Sequence, residues 1–199
     1  MRPLTPDDLL PLEEYAGRRR ELVTSLRRYL DRYRRVRIGP RLTLVFENRQ
    51  TLWFRLHEVL RVARLAEPGR VQQELDVYNR LLPGRGRLQA ALLIDVTDEA
   101  RLAEELGPWQ ALRGEDLPLC VGPRHFPADL VTCRPEDRTV GAAHWVQFTL
   151  GADGRRLLAD FLLPAHFACL LPTYRHTGGP LSDDVRQSLL DDLDLSERD

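Results

Sequence analysis

The sequence predicts an α+β fold in which an antiparallel sheet from the second half packs against helices from the first half and a C-terminal helix. Three observations support this class. Apolar residues in the first half recur at three- and four-residue steps, as in amphipathic helices. In the second half, short apolar runs alternate with Gly, Pro and Asp, as in a sheet of short strands. From Ser182 onward helical spacing returns, with two aspartates at the N-terminal end.

The first 36 residues predict one amphipathic helical segment. Proline is tolerated only in the first turn of a helix, so we expect the helix to begin near Pro11 and to reach Arg34. Arg19 interrupts its apolar stripe, which otherwise consists of Leu12, Tyr15, Leu22, Leu26, Tyr29 and Tyr33. Residues 37–199 are expected to form an α+β body, and the two parts together fit the size of a single domain.

The stretch from Ile38 to Ala66 joins a predicted strand, residues 42–46, to a helix that begins at Glu47. The apolar face of this helix consists of Leu52, Leu56, Val59, Leu60 and Ala63. Its opposite arc combines polar residues with two apolar ones: Glu47, Gln50, Thr51, Phe54, His57, Glu58, Arg61 and Leu65. A solvated face rarely carries Phe and Leu at its centre, so we expect another element or a ligand to cover part of this arc.

Two interpretations of the arc are open. In the first, Glu58 forms ion pairs with Arg55 or Arg61, each three residues away. In the second, Glu47 and Glu58, with His57 as a weak third metal candidate, converge on a small polar ligand or on a cation. A metal ion bound by Glu47, Glu58 and a histidine from elsewhere in the chain would make the protein a metal-dependent enzyme. Adjacent side chains on a helix diverge by about 100°, so His57 and Glu58 would not easily share one metal ion.

The remaining chain predicts short elements. Residues 71–82 favour a helix, residues 88–96 a buried strand, and Thr97 the cap of another helix. Further strands are expected at 117–121, 130–132, 142–150 and 156–163, with 151–154 as a hairpin loop. One group of residues has soft-metal chemistry but lacks the spacing of structural zinc sites: Cys120, His125, Cys133 and His144.

Composition excludes several classes of protein. The formal net charge is −1, and all 29 basic residues are arginines, so neither a Schiff-base lysine nor a phosphate-loop lysine exists. The three cysteines are widely spaced and odd in number, which argues against a disulfide framework. No signal peptide and no apolar stretch of ~20 residues is evident, so we expect a cytoplasmic protein without a membrane span.

Arginines are concentrated between Arg18 and Arg41, interleaved with Tyr29 and Tyr33. Such a surface could contact the phosphates of a nucleic acid. The guanidinium groups of these arginines could equally pair with acidic residues elsewhere in the chain. The C-terminal segment supplies such residues: Asp183, Asp184, Asp191, Asp192, Asp194, Glu197 and Asp199. The near-zero net charge favours this internal pairing and makes nucleic-acid binding the weaker hypothesis.

Four segments of the chain together resemble a bacterial family known only as domain of unknown function 3501. They are GPRLTLVFENRQTLWFRLHEVLR, YNRLLPG, PEDRTVGAAHWVQF and the closing acidic helix. The most specific part is FENR-x-T followed by a Glu and an Arg one turn apart. The candidate ligand-binding residues are Glu47, Asn48, Arg49, Thr51, Glu58, Arg61, Asp137 and Arg138.

The resemblance implies no established activity. Through the genes encoded beside family members, it implies a link to rubrerythrin-like or iron–sulfur proteins as partners. We therefore expect a non-catalytic accessory or interaction protein of bacterial redox or iron metabolism. A homo-oligomer formed through the N-terminal helix is a further hypothesis.

Overall fold

The computed structural model describes residues 1–132 and 141–197. Its helices are α1 (Leu12–Tyr29), α2 (Arg49–Val62), α3 (Pro68–Asn79), α4 (Leu102–Leu106), α5 (Gly151–Ala159) and α6 (Asp183–Glu197). Its strands are β1 (Arg35–Ile38), β2 (Leu42–Glu47), β3 (Arg87–Ile94), β4 (Leu119–Val121), β5 (Arg124–Phe126), β6 (Ala128–Leu130), β7 (Ala143–Thr149), β8 (Ala165–Leu171) and β9 (Tyr174–Thr177). The predicted α+β class is confirmed. Within the described residues, no helix combines the length and apolarity needed to cross a membrane.

Two antiparallel sheets form the centre of the fold. The first has the strand order β1-β2-β3-β7-β6, and the second has the order β5-β4-β8-β9. The Phe46 ring lies 5.3 Å from the Phe167 ring, and Phe148 lies 5.0 Å from Phe167, so aromatic side chains of both sheets share one core. Helix α6 joins this core through Val185, Leu189, Leu190 and Leu193. The first half therefore contributes three strands as well as helices.

A second, smaller core lies among the helices of the first half. The apolar face of α2 is buried there through Leu52, Leu56 and Leu60, together with Leu75 of α3. Tyr15 is the only fully buried residue of α1. The predicted stripe of α2 is therefore confirmed at its centre, whereas Ala63 is exposed because the helix ends at Val62.

The prediction for residues 151–163 was wrong, because Gly151–Ala159 is the helix α5 and not a hairpin loop followed by a strand. Gly154 allows close packing: a Cβ atom there would lie 2.7 Å from Cε1 of Phe126. The buried guanidinium of Arg186 donates to the carbonyl oxygens at the end of α5, those of Leu157, Leu158, Asp160 and Leu163. These tertiary contacts, which the local pattern does not encode, stabilise a helix with two glycines.

Candidate functional site

The FENR-x-T segment forms the junction between β2 and α2. Asn48 is the N-cap of α2: its Oδ1 accepts from the Thr51 amide at 3.1 Å, and the Thr51 hydroxyl oxygen accepts from the Asn48 amide at 2.9 Å. This reciprocal capping satisfies two donors that would otherwise be unpaired at the helix start. The Thr51 hydroxyl in turn donates to Glu47, the last residue of β2. The motif thus fixes the direction in which the chain enters α2.

Glu47 is fully buried and pairs with Arg55. Oε1 of Glu47 lies 2.8 Å from Nε of Arg55 and 2.6 Å from its Nη2. The Arg55 guanidinium also lies over the indole ring of Trp145 on β7, with its carbon 5.5 Å from the ring centroid. Arg55 therefore bridges the helix to the outer face of the five-stranded sheet. Of the two partners that the sequence left open for Glu58, Arg61 forms the ion pair, whereas Arg55 pairs with Glu47.

Glu58 receives donors from two helices. Arg19 of α1 reaches both carboxylate oxygens at 2.8 Å, Arg61 reaches them at 3.2 and 3.1 Å, and the Tyr15 hydroxyl donates at 2.8 Å. The hydrogen bonds from Arg19 are the largest cause that lowers the pKa of Glu58 to about 2. Burial, followed by the hydrogen bond to Glu58, raises the pKa of Tyr15. The carboxylate is therefore held ionised.

Helix α1 covers part of the polar arc of α2. The Tyr15 ring stacks on His57 at 4.7 Å and meets Phe54 edge-on at 6.1 Å. Residues Arg19 and Tyr15 are the site groups that sequence reasoning missed. The interruption of the apolar stripe by Arg19 was the signal that could have identified one of them, since a charged group on a buried face needs a partner.

His57 has a structural role. Its Nδ1 lies 2.8 Å from the Trp53 carbonyl oxygen, and its Nε2 accepts the Leu10 amide at 3.0 Å. An accepting Nε2 requires the neutral Nδ1–H tautomer, and burial lowers the pKa of the ring, which favours the same neutral form. Both ring nitrogens are thus engaged.

The metal hypothesis gains no support from this geometry. No group of three or more His, Cys, Asp or Glu side chains able to hold a metal ion occurs in residues 1–132 and 141–197. Of the soft-metal group, Cys120 and His125 face each other on β4 and β5, whereas His144 lies on β7 of the other sheet. Asp137, Arg138 and Cys133 lie outside the described residues, so the binding roles considered for them stay predictions.

The remaining motif residues attach distant segments to the junction. Arg49 forms an ion pair with Asp8 at 2.6 Å, and this contact is the largest cause that lowers the pKa of Asp8. Asn48 donates to the Tyr29 hydroxyl at 2.9 Å, which also accepts from Arg34 at 2.8 Å. Because Arg34 pairs with Asp192 of α6, the motif is connected to both ends of the chain.

The arginine-rich segment is partly neutralised by α6. Arg32 pairs with Asp184 at 2.9 Å on the surface, and Arg34 pairs with Asp192 in the interior. These contacts are the internal pairing that the near-zero net charge favoured. Several arginines of this segment still face solvent, on α1 and also at Arg37 of β1.

A cleft of about 360 Å³ opens between α1, α2, α3 and β2. Its walls are mostly apolar, and it is lined by Leu26, Leu30, Val45, Thr51, Phe54, Arg55, Glu58, Val59 and Tyr78. The charged residues that line the cleft are Arg55 and Glu58. Both pair with residues outside the lining: Arg55 with Glu47, and Glu58 with Arg19 and Arg61. These five groups together carry one positive charge in excess beside a mostly apolar cavity.

Comparison with known proteins identifies relatives without a described activity. A family model described as "Protein of unknown function (DUF3501)" matches residues 3–193. A crystal structure from Burkholderia pseudomallei K96243, described as a novel protein of unknown function, is 29% identical; the match covers 96% of this chain and 100% of that one, with a TM-score of 0.83. No curated protein matches the chain.

Proposed function

Because the chain belongs to this family of unknown function, its role must be inferred from its own residues, and we propose that it is a non-catalytic binding protein. The cleft between α1, α2 and α3 would take a small amphipathic anion, a ligand with an apolar body and one carboxylate. The observation that carries this proposal is the combination of apolar walls with the Arg55 guanidinium in the lining, beside a five-residue ion-pair group that has one positive charge in excess.

The dimensions and the lining suit such a ligand. Small-molecule pockets are typically ~300–1,000 Å³, mostly apolar, and carry a few polar groups that fix orientation. Arg55 is 38% exposed at its side chain, and Glu47 occupies its Nε and Nη2 groups, so the remaining donors of the fork are available to an acceptor. A carboxylate bound there would neutralise the excess charge and place its apolar body against Leu26, Phe54 and Val59.

A catalytic role fits less well because the acid–base candidates already have structural partners. Glu47 is held by Thr51 and Arg55, and Glu58 is held by three donors with a pKa of about 2. A general base active near neutral pH needs a pKa closer to 7 than this. The site therefore supports binding better than proton transfer.

Octanoate is a suitable probe, and isothermal titration calorimetry measures its binding directly. We expect one site, and we expect Arg55→Gln to weaken binding by about tenfold, since a charge-assisted hydrogen bond contributes ~1.5–3 kcal/mol. Arg70→Gln makes the same chemical change on an exposed part of α3 and should bind like the wild type. Leu26→Trp should fill the cleft and abolish binding while thermal unfolding confirms that the variant folds.

Three results would contradict this function. The first is octylamine binding as tightly as octanoate, which would remove the role of the guanidinium groups. The second is octanoate binding that neither Arg55→Gln nor Leu26→Trp changes, which would place the ligand elsewhere. The third is failure of octanoate to bind the wild type at millimolar concentration.

The accessory role proposed from the family resemblance lies in bacterial redox or iron metabolism in the cytoplasm. It rests on the expected association with rubrerythrin-like or iron–sulfur proteins. Co-sedimentation tests this accessory role. The partners to be used are the purified rubrerythrin-like protein and the purified iron–sulfur protein that are encoded beside the gene. Absence of a complex with either protein at about 50 µM, where even weak complexes with micromolar Kd would form, would remove this assignment.

A further inference from the structure

Helix α1 has an outward face that packs on no other element of the described chain. Its inward face carries Tyr15 and Arg19, which contact α2. At about 100° per residue, the outward face is formed by side chains on the opposite side, all of them exposed: Glu13, Gly17, Arg20, Glu21, Thr24 and Arg28. No ion pair involves the charged members of this set within residues 1–132 and 141–197. These six residues are called the outer face of α1 below.

The charge pattern of the outer face is complementary to that of a second, antiparallel copy of the same face. Helix α1 spans Leu12–Tyr29, so its midpoint lies between Arg20 and Glu21. A two-fold axis through that midpoint, perpendicular to the helix, brings a second copy alongside in the antiparallel direction. Glu13 of one copy then lies opposite Arg28 of the other, and Arg20 lies opposite Glu21. Each of these contacts occurs twice, as an isologous interface requires.

The same axis places Gly17 opposite Thr24, the two small side chains of the face. Around them the longer side chains enclose an open depression that α1 alone lines. A glycine inside a helix is less favourable than alanine, and nothing lies within 4 Å of the position that a Cβ of Gly17 would occupy. The fold of one copy therefore gives no steric reason for this glycine, whereas close approach of a second helix does.

We propose that two copies of this chain associate through antiparallel packing of their α1 helices, with the outer face of α1 as the interface. This inference goes beyond the proposed function and does not depend on a ligand in the cleft, which lies on the opposite side of α1. The helix is about 27 Å long, and the contacts are mostly charged, so the dimer is weak and sensitive to salt.

Sedimentation velocity over a range of concentrations tests this interface. The wild-type protein should form a reversible dimer at about 50 mM salt and dissociate at about 500 mM, where the screening length falls below about 5 Å. Arg28→Glu places two like-charged pairs in the interface and should raise the dimer Kd at least tenfold. The double variant Glu13→Arg/Arg28→Glu restores opposite charges and should return the Kd to within about threefold of the wild type. Arg70→Glu is the matched control outside the face.

Gly17→Leu provides a second, independent measurement. A leucine at this exposed position is a better helix former, so the monomer should keep or raise its unfolding temperature. It should nevertheless abolish the dimer because the helices could no longer approach. A wild-type protein that sediments as a monomer at about 200 µM in low salt overturns the proposal, since a weak dimer of micromolar Kd would then be populated. A double variant that stays as monomeric as Arg28→Glu also overturns it.

Discussion

Two ion-pair sites connect the helices of this protein, and they differ in their exposure to water. Arg34 and Asp192 are 4% and 3% exposed at their side chains, between helix α6 and the π-helical turn Leu30–Arg34 that follows α1. Glu58 is 24% exposed and its partner Arg19 is 42% exposed, between α1 and α2. Both sites pair a carboxylate with a guanidinium, yet the pKa values of the two carboxylates are shifted in opposite directions. Burial raises the pKa of Asp192, whereas the hydrogen bonds of Arg19 lower that of Glu58.

The difference shows that access to solvent decides what an ion pair does for the fold. In the interior the loss of hydration is large, so the pair is tolerated only while both members are present. At the partly hydrated site the donors outweigh desolvation, and the charge is stabilised. The first site thus enforces the docking of α6, and the second holds α1 over α2 beside the cleft.

The largest effect is expected where one member of the buried pair is removed. Asp192→Ala leaves the Arg34 guanidinium buried without its carboxylate, which should lower the free energy of unfolding by about 3–5 kcal/mol. Urea denaturation measures this loss. The double variant Arg34→Met/Asp192→Leu removes both charges and should recover most of the stability. A loss below about 1 kcal/mol in Asp192→Ala would contradict the role assigned to burial.

A smaller effect, with a defined pH dependence, is expected at Glu58. Its pKa in the folded protein, about 2, lies below the ordinary value of 4.5, so its stabilising contribution is complete above pH 4.5 and is lost as the pH falls toward 2. Glu58→Gln should cost on the order of 1–2 kcal/mol at pH 7, because the site is partly hydrated. The variant should also lose less stability than the wild type between pH 5 and 3, since the titrating carboxylate is gone.

Urea denaturation at several pH values tests the Glu58 prediction, and Glu104→Gln is its matched control. Glu104 pairs with Arg101 three residues away, but both side chains are about two-thirds exposed. The control should therefore change the free energy of unfolding by less than about 0.5 kcal/mol. Equal pH profiles for the wild type and Glu58→Gln would show that Glu58 is not held ionised by its partners.

The smallest effect is expected at the tyrosine that joins α1 to the Glu58 site. Tyr15→Phe keeps the buried ring and removes the hydroxyl that donates to Glu58, so we expect a loss of about 1 kcal/mol. Tyr78→Phe is the control, since no hydrogen bond of its hydroxyl occurs within the described residues, and it should be nearly neutral. If both variants lower the free energy of unfolding by the same amount, the hydrogen bond from the Tyr15 hydroxyl does not contribute to stability.

Local patterns predicted helices α1 and α2 of the first half but not the strand β1 between them. The periodicity of α1 and the apolar stripe of α2 were read correctly, because a 3.6-residue repeat is a property of neighbouring residues. The region 151–163 was misread, since two glycines there signal a turn locally while Gly154 serves a close contact with Phe126. The position of Phe54 in the polar arc of α2 predicted that another element or a ligand covers the arc. The sequence did not predict that helix α1 is this element.

The sequence by itself predicted the α+β class, a strand-to-helix junction within two residues of the observed N-cap Asn48, and Arg61 as one of two possible partners of Glu58, because all of these depend on spacings of a few residues. Only the tertiary structure decided that Arg19 covers Glu58 and that Arg34 meets Asp192, 158 positions along the chain. Spacing cannot encode such contacts, because burial and long-range packing select one partner among many equivalent arginines and aspartates.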